Sequence, residues 1–144
     1  MEIEKLREYQ SLLIEWAKTA PVIQTFGMKL SYNENNQAIW DMPYLPKFDN
    51  AVGGIHGGVY ATLLDNAGWF TVCPHYGFWV ATVEYQTRLL DPVEKQDLQA
   101  VGKVIRLGRR LSTAQMELRT KSDQLVAVGS GTFTVTSIPL PTST

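Results

Sequence analysis

The segment GGVYATLLDNAGWFTVC, residues 57–73, constrains this fold more than any other. Val59, Ala61, Leu63, Leu64, Ala67, Trp69, Phe70 and Val72 lie all around its helical wheel. A helix that is apolar on nearly every face has no side to offer water and must be buried. Pro74 and Gly77 end it. Residues 2–19 are of another kind: Ile3, Leu6, Tyr9, Leu13, Trp16 and Ala20 recur at three- to four-residue steps, with Glu2, Glu4, Lys5, Arg7 and Glu8 opposite. That spacing predicts an amphipathic helix, closed by Pro21.

What buries the apolar helix follows it. Past Gly77 the period changes to two, as in Trp79, Ala81, Val83, Tyr85, Thr87 and again in Ala114, Met116, Leu118. Four such runs reach residue 135, broken at Asp91-Pro92, Gly108-Arg109-Arg110 and Lys121-Ser122-Asp123. Breaks this short predict antiparallel neighbours, because a parallel crossover needs a dozen or more residues. A shorter strand pair is predicted over residues 27–32 and 37–42, around Asn33-Glu34-Asn35-Asn36, before an irregular stretch over 43–58. The expectation is an α+β domain in which a long antiparallel meander wraps one helix. With 144 residues it is read as one domain, with a core over about 20–136 and a loose tail over 137–144.

Composition removes whole classes of function. Thirteen Lys+Arg against fourteen Asp+Glu give a net charge of −1, without the basic excess of a nucleic-acid binder. Cys73 is the single cysteine, so no internal disulfide forms, and with only His56 and His75 beside it a Cys/His zinc site is excluded. No metal or cofactor is expected. No apolar run approaches the roughly 20 residues of a membrane span. The charged start, MEIEKLREYQ, lacks the apolar stretch of a signal peptide, so a cytoplasmic domain is expected. A domain this small has little room for a deep cleft of its own.

Chemistry concentrates in Asn50-Ala51-Val52-Gly53-Gly54-Ile55-His56-Gly57-Gly58, which runs into the buried helix. Gly57 and Gly58 leave backbone N–H groups free at a helix N-terminus, a ready site for an anion or developing oxyanion. The alternative is that they only permit close packing. Asp65 sits among Leu63, Leu64, Ala67 and Phe70, where an unpaired carboxylate is costly, so it needs a partner or a task. Burial raises a carboxylate pKa, which suits a general base. Asp65 lies eight residues after Gly57, about 12 Å along a helix rising ~1.5 Å per residue. A carbonyl held at Gly57–Gly58 is therefore out of reach of the same chain's Asp65. Either the two features are unrelated or they meet across a two-fold dimer.

His56 would orient a group through its ring nitrogens or simply hold a backbone carbonyl. Asn50 would position a water or make an Asx turn. Cys73 and His75, around Pro74, have no third group to form a nucleophile system and read as structural. Arg109-Arg110 is a solvated turn or a phosphate grip.

Together these residues resemble the hotdog-fold thioesterases related to phenylacetate-degradation thioesterases. The likeness rests on Asn50, His56-Gly57-Gly58, Asp65, the strand Ala81-Thr82-Val83-Glu84-Tyr85, the Leu89-Leu90-Asp91-Pro92 and Gly108-Arg109 turns, and residues 125–133. It implies a curved antiparallel sheet around a long central helix, here with an extra N-terminal helix, in dimers and often dimers of dimers. It implies hydrolysis of an acyl-CoA thioester. Asp65 would be general base or nucleophile, the Gly57 N–H with Gly58 would polarise the carbonyl, and Asn50 and His56 would hold water or carbonyl. A hydroxyl at Thr82 would assist near the carboxylate of the partner site, and Arg109 and Arg110 become candidates for the CoA phosphates. Asp91 stands where the wider family carries Arg, and Thr82 where Ser is common. Two other functions remain open from sequence: a hydratase or dehydratase using His56 with Asp65, and a non-catalytic acyl-CoA binder. Tyr60, Trp69, Phe78 and Trp79 crowd the presumed acyl end, as specificity groups or as plain core.

Overall fold

A computed structural model describes residues 1–141. The amphipathic segment forms helix α1 (Ile3–Ala17), burying Leu6, Leu13 and Ala17. Pro21 does more than close it. Its fixed φ and missing N–H suit the first position of a second short helix, α2 (Pro21–Phe26), which Gly27 ends in the left-handed region at φ 63°. Strands β1 (Lys29–Tyr32) and β2 (Ala38–Met42) pair around the asparagine turn. There Asn33 Oδ1 accepts the N–H groups of Asn35 and Gln37.

The all-apolar segment is helix α3 (Gly57–Val72). Around it run β3 (Phe78–Leu89), β4 (Leu98–Leu107), β5 (Leu111–Thr120) and β6 (Leu125–Pro139). One six-stranded antiparallel sheet results, in the order β1-β2-β4-β5-β6-β3. This is the hotdog fold, with α3 as its filling. Leu63, Leu64, Ala67 and Val72 are completely buried beneath Trp40, Ala100, Ala114, Met116, Leu118 and Phe133.

Helix and sheet approach closely because two glycines allow it. A Cβ on Gly102 of β4 would collide with the Ala67 carbonyl oxygen and the Thr71 hydroxyl, and one on Gly68 of α3 would press into Met116 and Phe133. Thr71, buried within this contact, loses no hydrogen bond: it donates to Ala67 O at 2.7 Å and accepts the Ala38 N–H at 3.0 Å.

Three sequence expectations are corrected. β3 is not the neighbour of β4; it lies at the sheet edge against β6. The eight residues 90–97 cross from one to the other, and about 26 Å of extended chain easily spans three strand spacings of ~4.8 Å. Asp91-Pro92 thus opens a crossing segment and not a hairpin turn. That segment is pinned on the start of α3: the Val93 N–H donates to Tyr60 Oη, and Val93 O accepts the Ile55 N–H at 2.9 Å. Second, residues 137–140 are no loose tail. β6 continues to Pro139, and Leu140 is buried with its N–H on Gly77 O; the last three residues of the expected tail lie outside the described residues. Third, β3 does not alternate strictly, because its register against β6 shifts between Phe78 and Val80 and between Thr82 and Glu84.

Gly102→Ala is expected to destabilise the protein by roughly 1–3 kcal/mol, because its nearest new neighbour is the Ala67 backbone, which cannot move aside. Urea denaturation of the variant checks this; an unchanged midpoint would refute the close approach.

Candidate active site

Asp65 projects from the middle of α3 toward β3, where its Oδ1 accepts the Thr82 hydroxyl at 3.0 Å. The partner foreseen for Thr82 was the carboxylate of a second subunit; the contact is made within the chain. The pair lies in a groove of about 370 Å³ whose other walls include Trp69, Trp79, Val22 and Ile23. Burial among these side chains raises the Asp65 pKa, and the Thr82 hydrogen bond offsets only part of that rise. The carboxyl thus holds a proton more readily than an ordinary, solvated aspartate does. Tyr85 lies near enough that, after its own burial, the Asp65 charge further raises its phenol pKa. Nothing in an alternating strand pattern singles out Tyr85. The bulge next to Thr82 re-aims this stretch of β3, and bulges leave no mark in sequence.

The start of α3 resolves several open alternatives. His56 is its N-cap, and its Nδ1 accepts the Gly58 N–H at 2.8 Å. This leaves the proton of the neutral ring on Nε2. Gly58 is therefore not a free oxyanion donor, a correction to the paired-glycine reading. The Gly57 N–H meets no acceptor among the described residues, and it stands at the positive end of a 16-residue helix. A Cβ on Gly57 would meet the Leu89 side chain, which would have to shift to admit it. Asn50 divides its side chain between both readings. Its Oδ1 accepts the Val52 and Gly54 N–H groups in an Asx turn, while its Nδ2 has no acceptor among the described residues.

Some residues are not brought to the groove. Gly57 and Asp65 are separated by two turns of an unbroken helix, as their spacing requires. Arg109 and Arg110 are exposed at the β4–β5 turn, without an ion pair among the described residues. Tyr76, just past the C-terminal end of α3, donates its hydroxyl to Gly108 O at 2.7 Å. The arginine turn thus stands at the opposite end of the helix from Gly57. Cys73 is fully buried with its thiol pKa pushed up to about 12, and burial lowers that of His75. Neither is set up as a nucleophile or base. Tyr60 serves Val93 and Phe78 faces outward, whereas Trp69 and Trp79 line the groove. No helix of the described residues is long and apolar enough to cross a membrane.

Residues 52–127 match the model of a protein family described as the thioesterase superfamily. A protein of Halobacterium salinarum, provisionally named an esterase, is 34% identical in a 107-position alignment that covers 65% of this chain and 70% of that one. A second protein so named, from Saccharolobus solfataricus, is 23% identical over 81% of this chain and 84% of its own length. Among solved structures, the PaaI protein of the Escherichia coli phenylacetic acid degradation operon superposes with a TM-score of 0.85 at 16% identity, covering 95% of this chain and 99% of that one. A Haemophilus influenzae thioesterase gives 0.80 at 24% identity, with 89% of each chain covered. At these identities the two structures bear on the fold alone.

The raised Asp65 pKa has a stability consequence of definite sign. A carboxyl with a folded-state pKa above its unfolded value stabilises the fold fully at pH below the unfolded value, and that contribution is lost as pH rises through the folded one. Asp65→Asn should therefore gain thermal stability relative to the parent as pH rises from below the ordinary carboxylate value to neutrality. Melting curves across that range check it; a difference independent of pH would show that Asp65 titrates normally.

Proposed function

The chain belongs to the thioesterase superfamily, and on that footing we propose that it hydrolyses an acyl-CoA thioester to a free acid and CoA in a site shared across a dimer. The observation that carries the reading is the Thr82-supported carboxylate of Asp65 in a largely apolar groove, two turns from an unclaimed Gly57 N–H at the head of the same helix. About 12 Å of helix separates base from oxyanion donor, so one carbonyl uses Asp65 of one subunit and Gly57 of the partner subunit. Strand β3 supports the pairing. It is a twelve-residue edge strand with Val83, Tyr85 and Leu89 exposed, an apolar edge of the sort that a second copy covers.

In this scheme Asp65 takes a proton from water as the water oxygen bonds to the thioester carbon. The carbonyl oxygen gains negative charge and meets the Gly57 N–H and the helix dipole. Collapse of this intermediate breaks the carbon–sulfur bond, and Asp65 returns the proton to the departing thiolate. Thr82 orients the carboxylate, and the Asn50 amide, with its Nδ2 unclaimed, holds the water or the carbonyl. His56 keeps the helix start in shape through its cap, and its Nε2 carries the proton it offers outward. A hydratase would need His56 as a free base near Asp65, and its accepting nitrogen is already occupied. Arg109 and Arg110 grip the phosphates of the CoA tail.

Asp65→Ala or Asp65→Asn should lower thiol release from acyl-CoA by a factor of about 10² or more, the usual range for a positioned base, while the dimer persists in sedimentation. Acyl-CoA bound with no thiol released by the parent would instead indicate a binding protein. Mixing inactive Asp65→Asn with inactive Gly57→Val subunits should restore about a quarter of parental activity, because half the reassorted dimers carry one intact site of two. No restoration would mean that each site is built within one chain.

Replacing Arg109 and Arg110 together with Ala should raise KM for acyl-CoA and leave that for the same acyl group on N-acetylcysteamine, which has no phosphates, unchanged. Equal effects on both thioesters would remove the pair from the CoA site.

A further inference from the structure

The groove beside Asp65 has a wall that the rest of the site does not explain. Trp79 borders it from β3 and packs edge-on against Trp69 of α3, ring centroids 4.6 Å apart. Trp69 is held in place, because its indole N–H donates to Val80 O at 2.8 Å from a buried position. On its other side Trp79 meets Trp16 of α1, at 5.4 Å and 75° between planes. Trp16 and Trp79 each keep 37% of their surface exposed, unusual for paired indoles with only a core to fill. The backbone is irregular here as well. The β3–β6 register breaks at Trp79, and its carbonyl accepts the Thr136 hydroxyl at 2.7 Å. Such breaks re-aim a side chain. Facing Trp79 across the groove are Ala20, Val22 and Ile23, from the junction of α1 and α2. Val22 is half exposed although it is apolar.

We propose that Trp79, held in place by Trp16, sets the size limit of the acyl group, and that the N-terminal helices supply the opposing wall through Val22 and Ile23. The proposal rests on the reading of Asp65 as the hydrolytic carboxylate, since it makes this groove the acyl subsite. The groove's 370 Å³ sits near the low end of ligand pockets, which run from about 300 to 1,000 Å³. A short or single-ring acyl group fits such a space; a long chain collides with the indole. Trp16, Ala20, Val22 and Ile23 all precede the residues shared with the family model, 52–127. Acyl selection thus comes partly from a segment outside the part of the chain that the family model describes. Trp16 acts through Trp79 and is a positioning residue.

The test is thiol release by the full-length protein over straight-chain acyl-CoAs from acetyl to palmitoyl, with phenylacetyl-CoA as the ring-bearing member. Trp79→Ala should raise the kcat/KM ratio of long to short substrates by about tenfold or more, the scale on which a pocket counts methylenes. Trp16→Ala should shift the ratio the same way by less, and Trp16→Phe should restore it. Val22→Trp, at an exposed position that tolerates bulk, should shift it the opposite way. A general loss of stability lowers activity on every substrate alike and does not produce opposed shifts. An unchanged ratio in both Trp79→Ala and Val22→Trp, with Asp65→Asn still inactive, overturns the size limit and leaves the hydrolytic reading standing. Full turnover in Asp65→Asn overturns both.

Discussion

A helix without a polar face can exist in water only inside something else, and the rest of this molecule answers that requirement. Fully covering α3 takes a sheet long and curved enough to enclose it, and β2, β4, β5, β6 and β3 all touch it. The contact is tight because Gly102 lies against the backbone of α3, because Gly68 leaves room for the Met116 and Phe133 side chains, and because Thr71 satisfies its hydroxyl within the interface. Each additional methyl at this contact has nowhere to go. The hydrophobic requirement of one segment therefore dictates where five of the six strands lie.

The candidate site is a by-product of that enclosure. Wrapping α3 leaves its N-terminus at the rim, where one N–H is capped by His56 and the next is unclaimed. It also leaves one side of its middle turned to β3, where Asp65 and Thr82 meet in a half-buried, mostly apolar setting. Such a setting raises a carboxylate pKa, and a helix terminus favours developing negative charge. In the proposed scheme these are the two halves of a hydrolytic device on one helix, held apart by its rigidity. That separation and the apolar β3 edge are what the proposed dimer would resolve, with a second copy of the chain bringing the halves together.

The crossing segment 90–97 ties these parts together. By accepting the Ile55 N–H and donating to Tyr60, Val93 holds the Asn50–Gly58 loop against the head of α3. The loop's own hydrogen bonds, from Asn50 and Asp49, then need only set its local shape. The N-terminal helices play a matching part at the other end of the groove, where the Trp16–Trp79 contact joins α1 to the sheet edge.

Much of this was legible in the residues alone. A change of hydrophobic period from 3.6 to 2 marks a buried helix followed by strands, because side-chain direction repeats with the backbone. A carboxylate among leucines and glycines at a helix start announce themselves by their chemistry, and their eight-residue spacing is a length that folding cannot alter. Partnership was not legible. Strand order, the edge position of β3, the extension of β6 to Pro139 and the bulges that aim Tyr85 and Trp79 depend on which segments meet in space. Hydrogen-bond ownership was hidden for the same reason: Gly57 and Gly58 are identical in sequence, and only the fold places the His56 ring on one of them. Sequence by itself determined the segments and their chemical types, because these follow from local covalent geometry. Tertiary structure alone decided which of those groups are spoken for and which are left for a substrate, because that depends on neighbours far apart along the chain.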